Sequence, residues 1–197
     1  SNYGFMDCTN LKDISFSILE SIGIKSFYSC MSLVNINLPH LDVMNDNAFE
    51  YCISLTNISF PNVVKVMDYC FQNCALLKCI NLPKAKYIGN KVFRGCSLLT
   101  DANLPEATYC GDESFIECTS LSKIFLPKLE NMGAFVFNYI YVTELSVPNL
   151  IQASDDFMFL NEPIYRMLSS FSFPSLKYLG NTAYKCYQHE GISLPSL

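Results

Sequence analysis

The sequence has little histidine, a side chain that catalysis and metal binding often use. It contains two histidines, His40 and His189, which lie far apart, and no Cys-x-x-Cys pair. The sequence therefore lacks the set of ligands that a metal site of the zinc-finger type needs. The motifs Gly-x-Ser-x-Gly and His-Glu-x-x-His and a phosphate-binding glycine loop are absent as well. We therefore expect neither an enzyme nor a bound cofactor or metal ion.

Basic residues and long apolar runs are also scarce. The 13 Lys and Arg residues form no run and are outnumbered by 18 Asp and Glu, which gives a net charge of −5. An acidic chain of this kind is not expected to bind nucleic acid. No stretch reaches 18 consecutive apolar residues, so we expect no membrane insertion in this segment and place any signal peptide or anchor outside it.

What the sequence does contain is an internal repeat. Phenylalanine recurs every 22 residues, and cysteine follows three positions after the first six copies. The phenylalanines are Phe5, Phe27, Phe49, Phe71, Phe93, Phe115 and Phe137, and the cysteines are Cys8, Cys30, Cys52, Cys74, Cys96 and Cys118. A period of this size predicts a solenoid whose coils share one core. We predict a single domain over 1–197 of about eight repeats, regular over 5–137, irregular over 138–168 and incomplete at both ends.

Each repeat contains two apolar residues two apart, which is typical of a short strand with one buried face, and proline follows them in every repeat but the first, which has Ser17. The predicted parallel strands are Ile14–Phe16, Ile36–Leu38, Ile58–Phe60, Ile80–Leu82, Ala102–Leu104, Ile124–Leu126, Leu145–Val147 and Phe171–Phe173. Proline cannot donate to the ladder and marks each strand end. A glycine or asparagine further on, as at Gly89, is predicted to take positive φ at a corner. The fold class is therefore an α/β-type repeat solenoid, right-handed, with strands on one face and turns or 3₁₀ elements on the other.

The pattern L-x-x-I-x-L-P-x-L-x-x-I-G-x-x-x-F-x-x-C, clearest between Phe115 and Phe137, resembles the BspA-type leucine-rich repeat, which is also found in treponemal surface proteins. The resemblance covers almost the whole chain. It implies a curved solenoid, a cell-surface or secreted location and, in some members, adhesion to host proteins. It supplies no catalytic or ligand-contact residues to carry over. The unpaired-looking cysteines leave a cytoplasmic location open.

The six repeat cysteines occupy one inward column. Their side chains point the same way on successive coils, so we predict a ladder of buried, reduced thiols rather than disulfides. Cys110 is predicted to lie in the core. Cys79 falls on an outward strand position, and the sequence predicts it to be the exposed thiol.

Function is expected on the outward strand positions, which carry mostly short polar side chains. One interpretation is that they only solvate the sheet. The other is that they form a recognition face for a protein or glycan partner, centred on Asp101, Asn103, Lys123 and Phe125. Phe125 is the candidate anchor, because a large apolar ring on a polar sheet is typical of an interface.

Two alternatives stay open. The irregular region over 138–168, with a β-like run over 138–143 and an insertion around 155–165, is either decayed repeat or a second binding region. The whole chain is either a binding and adhesion module or a structural spacer or self-assembling scaffold that presents another domain.

Overall fold

The computed structural model describes residues 2–154, 171–180 and 192–193, and shows a stack of coils with two short parallel strands per coil. The first strands are β1 (Asp13–Ser15), β3 (Asn35–Asn37), β5 (Asn57–Ser59), β7 (Cys79–Asn81), β9 (Asp101–Asn103), β11 (Lys123–Phe125), β13 (Glu144–Ser146), β15 (Phe171–Ser172) and β17 (Ile192–Ser193). The second strands are β2 (Ser21–Ile22), β4 (Val43–Met44), β6 (Lys65–Val66), β8 (Tyr87–Ile88), β10 (Tyr109–Cys110), β12 (Asn131–Met132), β14 (Gln152–Ala153) and β16 (Tyr178–Leu179).

Parallel pairing of the first strands confirms the repeat-based prediction, with bounds that lie one residue earlier. Where the sequence predicted Ile14–Phe16, the strand runs from Asp13 to Ser15, and only its central residue is buried. The backbone N–H of Phe16 still donates to the carbonyl of Asn37 at 3.1 Å. The bonding between the strands therefore extends to the second apolar residue, and the turn begins at the next residue, Ser17.

The second strands were not predicted. The inward residues of these strands include Met44 and Ile88, which are buried. In the structure these residues belong to one continuous eight-stranded parallel sheet that runs from β2 to β16. Each of its strands has two residues, which is too short for an alternation of apolar and polar side chains to be recognised.

The prediction of an α/β-type fold with 3₁₀ elements is not confirmed, since the described residues form strands and turns and contain no helix. The residues two before and two after each phenylalanine have positive φ, as at Lys25 (54°) and Ser29 (56°) around Phe27. Their N–H groups and that of Phe27 donate to carbonyls of the next coil at 2.8–2.9 Å. The intervening N–H groups of Tyr28 and Cys30 donate to the third carbonyl before them at 3.3 and 3.2 Å. Bonds between coils thus alternate with bonds within the coil, and the consecutive bonds that a 3₁₀ helix requires are not formed.

The predicted phenylalanine and cysteine columns form the core. Successive rings from Phe5 to Phe137 lie 5.1–5.9 Å apart between centroids. The thiol of Cys52 donates to the carbonyl oxygen of Phe27 in the preceding coil at 3.1 Å, and Cys30, Cys74, Cys96 and Cys118 repeat this bond at 3.1–3.2 Å. The cysteines of the described residues are free, as predicted.

Two details of the cysteine prediction need correction. Cys79 is only half-buried, as is Asn81, the other outward residue of β7. Among the described cysteines, Cys8, a member of the ladder in the first described coil, is exposed. Cys110 is buried, as predicted.

The glycine at the corner has a different reason from the predicted one. Gly89 does not have positive φ. A Cβ atom there would lie 2.5 Å from the Oδ1 atom of Asp68 and 2.9 Å from the backbone nitrogen of the same residue. Asp68 belongs to the preceding coil, so glycine is required by the close approach of two coils and not by its backbone freedom.

Candidate functional site

The four side chains that the sequence singled out lie together on the outer face of two neighbouring first strands. β9 carries Asp101 and Asn103, and β11 carries Lys123 and Phe125. All four are exposed, because they alternate with central residues that turn towards the core. Together they line one open cavity of about 670 Å³. We call this surface, with Thr100, Thr143, Glu144 and Ser146 on its border, the β9–β11 face.

Phe125 is the apolar centre of this face. Its side chain is 64% exposed. Among the outward first-strand side chains that the structure describes, it is the only aromatic ring. Apolar surface that is left in water has no stabilising role in the solenoid, which leaves it available for a ligand.

An exposed ion pair borders the ring. Lys123 Nζ lies 2.6 Å from Glu144 Oε1 in β13, and the two side chains are 67% and 66% exposed. A pair so open to water contributes little to folding. Its effect on the β9–β11 face is to neutralise the lysine, so that Asp101 carries the remaining charge.

A row of amide side chains leads to the site along the first strands. Asn81 donates to Ser59 Oγ at 2.9 Å, and Asn103 donates to Asn81 Oδ1 at 2.6 Å. These bonds fix the side-chain orientations across neighbouring strands. The next residue in the column is Phe125, which has no polar group, so the row ends at Asn103 beside the cavity.

The site also coincides with a break in the first sheet. The strands pair as β1–β3, β5–β7–β9, β11–β13 and β15–β17, and no regular pairing joins β9 to β11. The eight-stranded second sheet is continuous across the same coils. A similar gap lies between β3 and β5, and the gap at the site separates the strand that carries Asp101 from the strand that carries Phe125.

The core of the described part of the chain contains a column of thiols. Burial raises the pKa of Cys30 to about 11 and that of Cys96 to about 12, so these thiols stay protonated at neutral pH and are poor nucleophiles. Within residues 2–154, 171–180 and 192–193 there is no group of three or more His, Cys, Asp or Glu side chains that could hold a metal ion. The same residues include no helix of the length and apolar character that membrane crossing requires.

The start of the irregular region lacks the repeat cysteine, and the β-like run predicted there is not formed. Ile140 takes the place of the missing cysteine and is buried. Asn138 is also buried, and its Oδ1 accepts the N–H of Tyr139 at 2.9 Å. The β-like run predicted over 138–143 is not a strand, because β13 starts only at Glu144. The predicted insertion around 155–165 lies outside the described residues.

The side chains on the outer face of the second sheet were not predicted from the sequence. Tyr87 and Tyr109 stack there with centroids 4.9 Å apart and an interplanar angle of 3°. Burial, followed by the negative charge of Asp68, raises the pKa of Tyr87. The recurrence of tyrosine at a spacing of 22 residues was the available signal, but two copies are too few to stand out from the longer columns.

Comparison with known proteins agrees with this architecture. A family model described as BspA type leucine rich repeat region (6 copies) matches residues 1–109 and 108–197. The chain belongs to the BspA-type leucine-rich repeat family. This confirms the resemblance that the repeat pattern suggested. None of the curated proteins matches the chain.

Three solved structures are similar to this BspA-type chain. The T. pallidum leucine-rich repeat protein TpLRR is 26% identical with a TM-score of 0.64, over 84% of this chain and 72% of that one. A leucine-rich repeat protein from Bacteroides ovatus is 23% identical with a TM-score of 0.66, over 94% of this chain and 56% of that one. A leucine rich cell surface protein from Faecalibacterium prausnitzii is 23% identical with a TM-score of 0.60, over 74% and 39%. The chain thus spans little more than half of the second protein and less than half of the third.

Proposed function

We propose that this solenoid is a non-enzymatic binding and adhesion module, which holds a protein or glycan partner on the β9–β11 face and acts at a cell surface or after secretion. The observation that carries the proposal is the position of Phe125. An exposed ring inside a cavity of about 670 Å³, bordered by polar side chains, has the composition of a binding site. The family and the F. prausnitzii cell surface protein support the proposed location.

The test is a binding measurement against immobilised extracellular-matrix proteins and oligosaccharides. The variant carrying both Phe125→Ala and Asp101→Ala should lose binding while its melting temperature stays within about 2 °C of wild type, since surface substitutions change stability little. Tyr178→Ala is the matched control, because Tyr178 is also 64% exposed but belongs to the second sheet. Binding that persists in the double variant would contradict the assignment.

A structural spacer or self-assembling scaffold is the second candidate. It is favoured by the first described coil, where Phe16 and Ile18 are 36% and 86% exposed. Exposed apolar surface of this kind promotes association between chains. Sedimentation of wild type and of a variant with both residues changed to Asp distinguishes the candidates, because only the scaffold function predicts self-association that the variant loses.

A further inference from the structure

The β9–β11 face has a single apolar anchor. Interfaces between proteins depend on a cluster of buried anchors, several of them aromatic, surrounded by a polar rim. Here Phe125 is the only ring among the outward first-strand side chains of the described residues, and its neighbours in the column are Asn103 and Ser146. One ring among short polar side chains fits a ligand that has one apolar face and polar groups around its edge.

The polar groups of the face are mainly hydrogen-bond acceptors. The hydroxyls of Thr100 and Thr143 donate to the carbonyls of Lys78 and Ser122 at 3.2 and 3.1 Å. Because each hydroxyl has one proton, both oxygens can only accept from a ligand in this arrangement. Asn103 uses its amide to donate to Asn81 at 2.6 Å, which fixes the side chain and leaves its Oδ1 as another acceptor.

The charge of the face excludes a strongly acidic ligand. Lys123 is paired with Glu144 at 2.6 Å, and the carboxylate of Asp101 is next to them in the same cavity. Sulfated or carboxylated ligands would meet a surface with one uncompensated negative charge. A neutral ligand rich in hydroxyl groups would supply donors to the acceptors of the face without this repulsion.

The supporting groups are held in place before any ligand arrives. Hydrogen bonds to the preceding coil hold Thr100 and Asn103, and the cavity of about 670 Å³ lies within the size range of small-ligand sites. Binding then costs little side-chain ordering. A rigid surface of this kind can bind a small, weakly hydrophobic ligand. A flexible surface would bind the same ligand poorly, because its side chains would have to be ordered first.

From these four observations we infer that the β9–β11 face binds a neutral oligosaccharide, with the C–H face of one sugar ring stacked on Phe125 and its hydroxyls donating to Asp101, Asn103 and the two threonines. The inference rests on the proposed function and narrows it to one class of partner.

The probes are biotinylated neutral oligosaccharides with terminal galactose, glucose, mannose or N-acetylglucosamine, and one sulfated oligosaccharide, each measured against the full chain. At least one neutral probe should bind and the sulfated probe should not. Phe125→Tyr keeps an aromatic face and should bind within about threefold of wild type. Phe125→Leu keeps an apolar side chain without an aromatic face and should bind about tenfold more weakly, as the loss of ring stacking implies. Tyr178→Leu, the matched control on the second sheet, should bind like wild type.

Three outcomes would overturn the inference: no neutral probe binds at millimolar concentration, the sulfated probe binds best, or the leucine variant binds like wild type. If a matrix protein binds and the double substitution at Phe125 and Asp101 abolishes that binding while no oligosaccharide binds, the proposed function stands and the oligosaccharide inference fails. If neither class of partner binds, both fail.

Discussion

The Oδ1 atom of Asp68 lies 2.5 Å from the position that a Cβ atom on Gly89, one coil further along the chain, would occupy. The same oxygen accepts the backbone N–H of Asn90 at 2.8 Å. Asn90 and Asp112 repeat the arrangement with the following coils, again at 2.8 Å and again with glycine at the preceding position. A row of Asp and Asn side chains therefore joins these coils, and the glycine column makes room for it.

Two of the three exceptions among the described residues of the glycine column follow the same rule. In the coil before Asn45, the position of the Asp and Asn row is occupied by Ile24, and in the coil before Ser154 it is occupied by Ala134. Neither side chain has an oxygen atom. Met67 is the one bulky residue that follows an aspartate, and its coil has the longest of these bonds, 3.2 Å from the N–H of Asp68 to Asp46 Oδ1.

Gly89→Ala should destabilise the protein by about 1–3 kcal/mol, the range for overpacking, because both a side-chain oxygen and backbone atoms of the preceding coil must shift. Adding Asp68→Ala should recover only part of the loss. Denaturant unfolding measures both effects. Asn45→Ala is the control in the same column and should cost about 1 kcal/mol, the value of its hydrogen bond to Ile22. A loss for Gly89→Ala that is well below 1 kcal/mol, and smaller than that for Asn45→Ala, would contradict the close-approach explanation.

The phenylalanine column and the outward face of the first strands differ in their contribution to stability. Phe93 is fully buried between Phe71 and Phe115, with ring centroids 5.8 and 5.1 Å away. Phe93→Ala should therefore cost about 3–5 kcal/mol through the lost burial and the cavity. Phe125→Ala should change stability by less than about 0.5 kcal/mol, as is usual for exposed positions. Similar midpoints of denaturant unfolding for the two variants would show that Phe125 also supports the core.

The thiol ladder should make the protein sensitive to alkali. Burial raises the pKa of Cys96 from 9.0 to about 12, so the folded state favours the protonated thiol. Its contribution is fully present below about pH 9 and is lost as the pH rises towards 12, by about 1.4 kcal/mol per pH unit for each such thiol.

Denaturant unfolding between pH 8 and pH 11 measures this slope. Cys96→Ser keeps a donor of similar shape for the carbonyl of Phe71 but does not titrate in this range. The free energy of unfolding of the variant should fall less steeply with pH than that of wild type. The difference between the two slopes should equal the contribution of one thiol. An identical slope would mean that other groups control alkaline unfolding.

The sequence predicted the parts of the fold that depend on side-chain identity. The phenylalanine and cysteine columns are visible because each position needs one side-chain type, and strand alternation correctly placed Asp101, Asn103, Lys123 and Phe125 outward. Features set by the backbone were not accessible in this way. The break between β9 and β11 is a matter of hydrogen bonding between strands, to which no residue type corresponds.

The left-handed positions illustrate the same limit. Residues with positive φ recur two before and two after each phenylalanine, but they include lysine, serine, tyrosine and glutamate, and only Gly95 among them is glycine. Their conformation is imposed by the hydrogen bonds that alternate N–H groups make to the next coil. Such bonds act on the backbone, so the side chains at these positions are free to vary.

Glu117 is one of these left-handed residues, since it is exposed and has φ of 65°. Its N–H donates to the carbonyl of Asn138 at 3.1 Å, and the left-handed conformation that this bond requires is unfavourable for a residue with a Cβ atom. Glu117→Gly removes the Cβ and should raise the free energy of unfolding by up to about 1 kcal/mol, after the greater flexibility of glycine in the unfolded chain is subtracted. Glu130→Gly is the control, because Glu130 is exposed without positive φ, and it should lose about 0.5–1 kcal/mol. The midpoints of thermal and denaturant unfolding should therefore rise for Glu117→Gly and fall for Glu130→Gly. A fall for both variants would show that the inter-coil bonds hold Glu117 without strain.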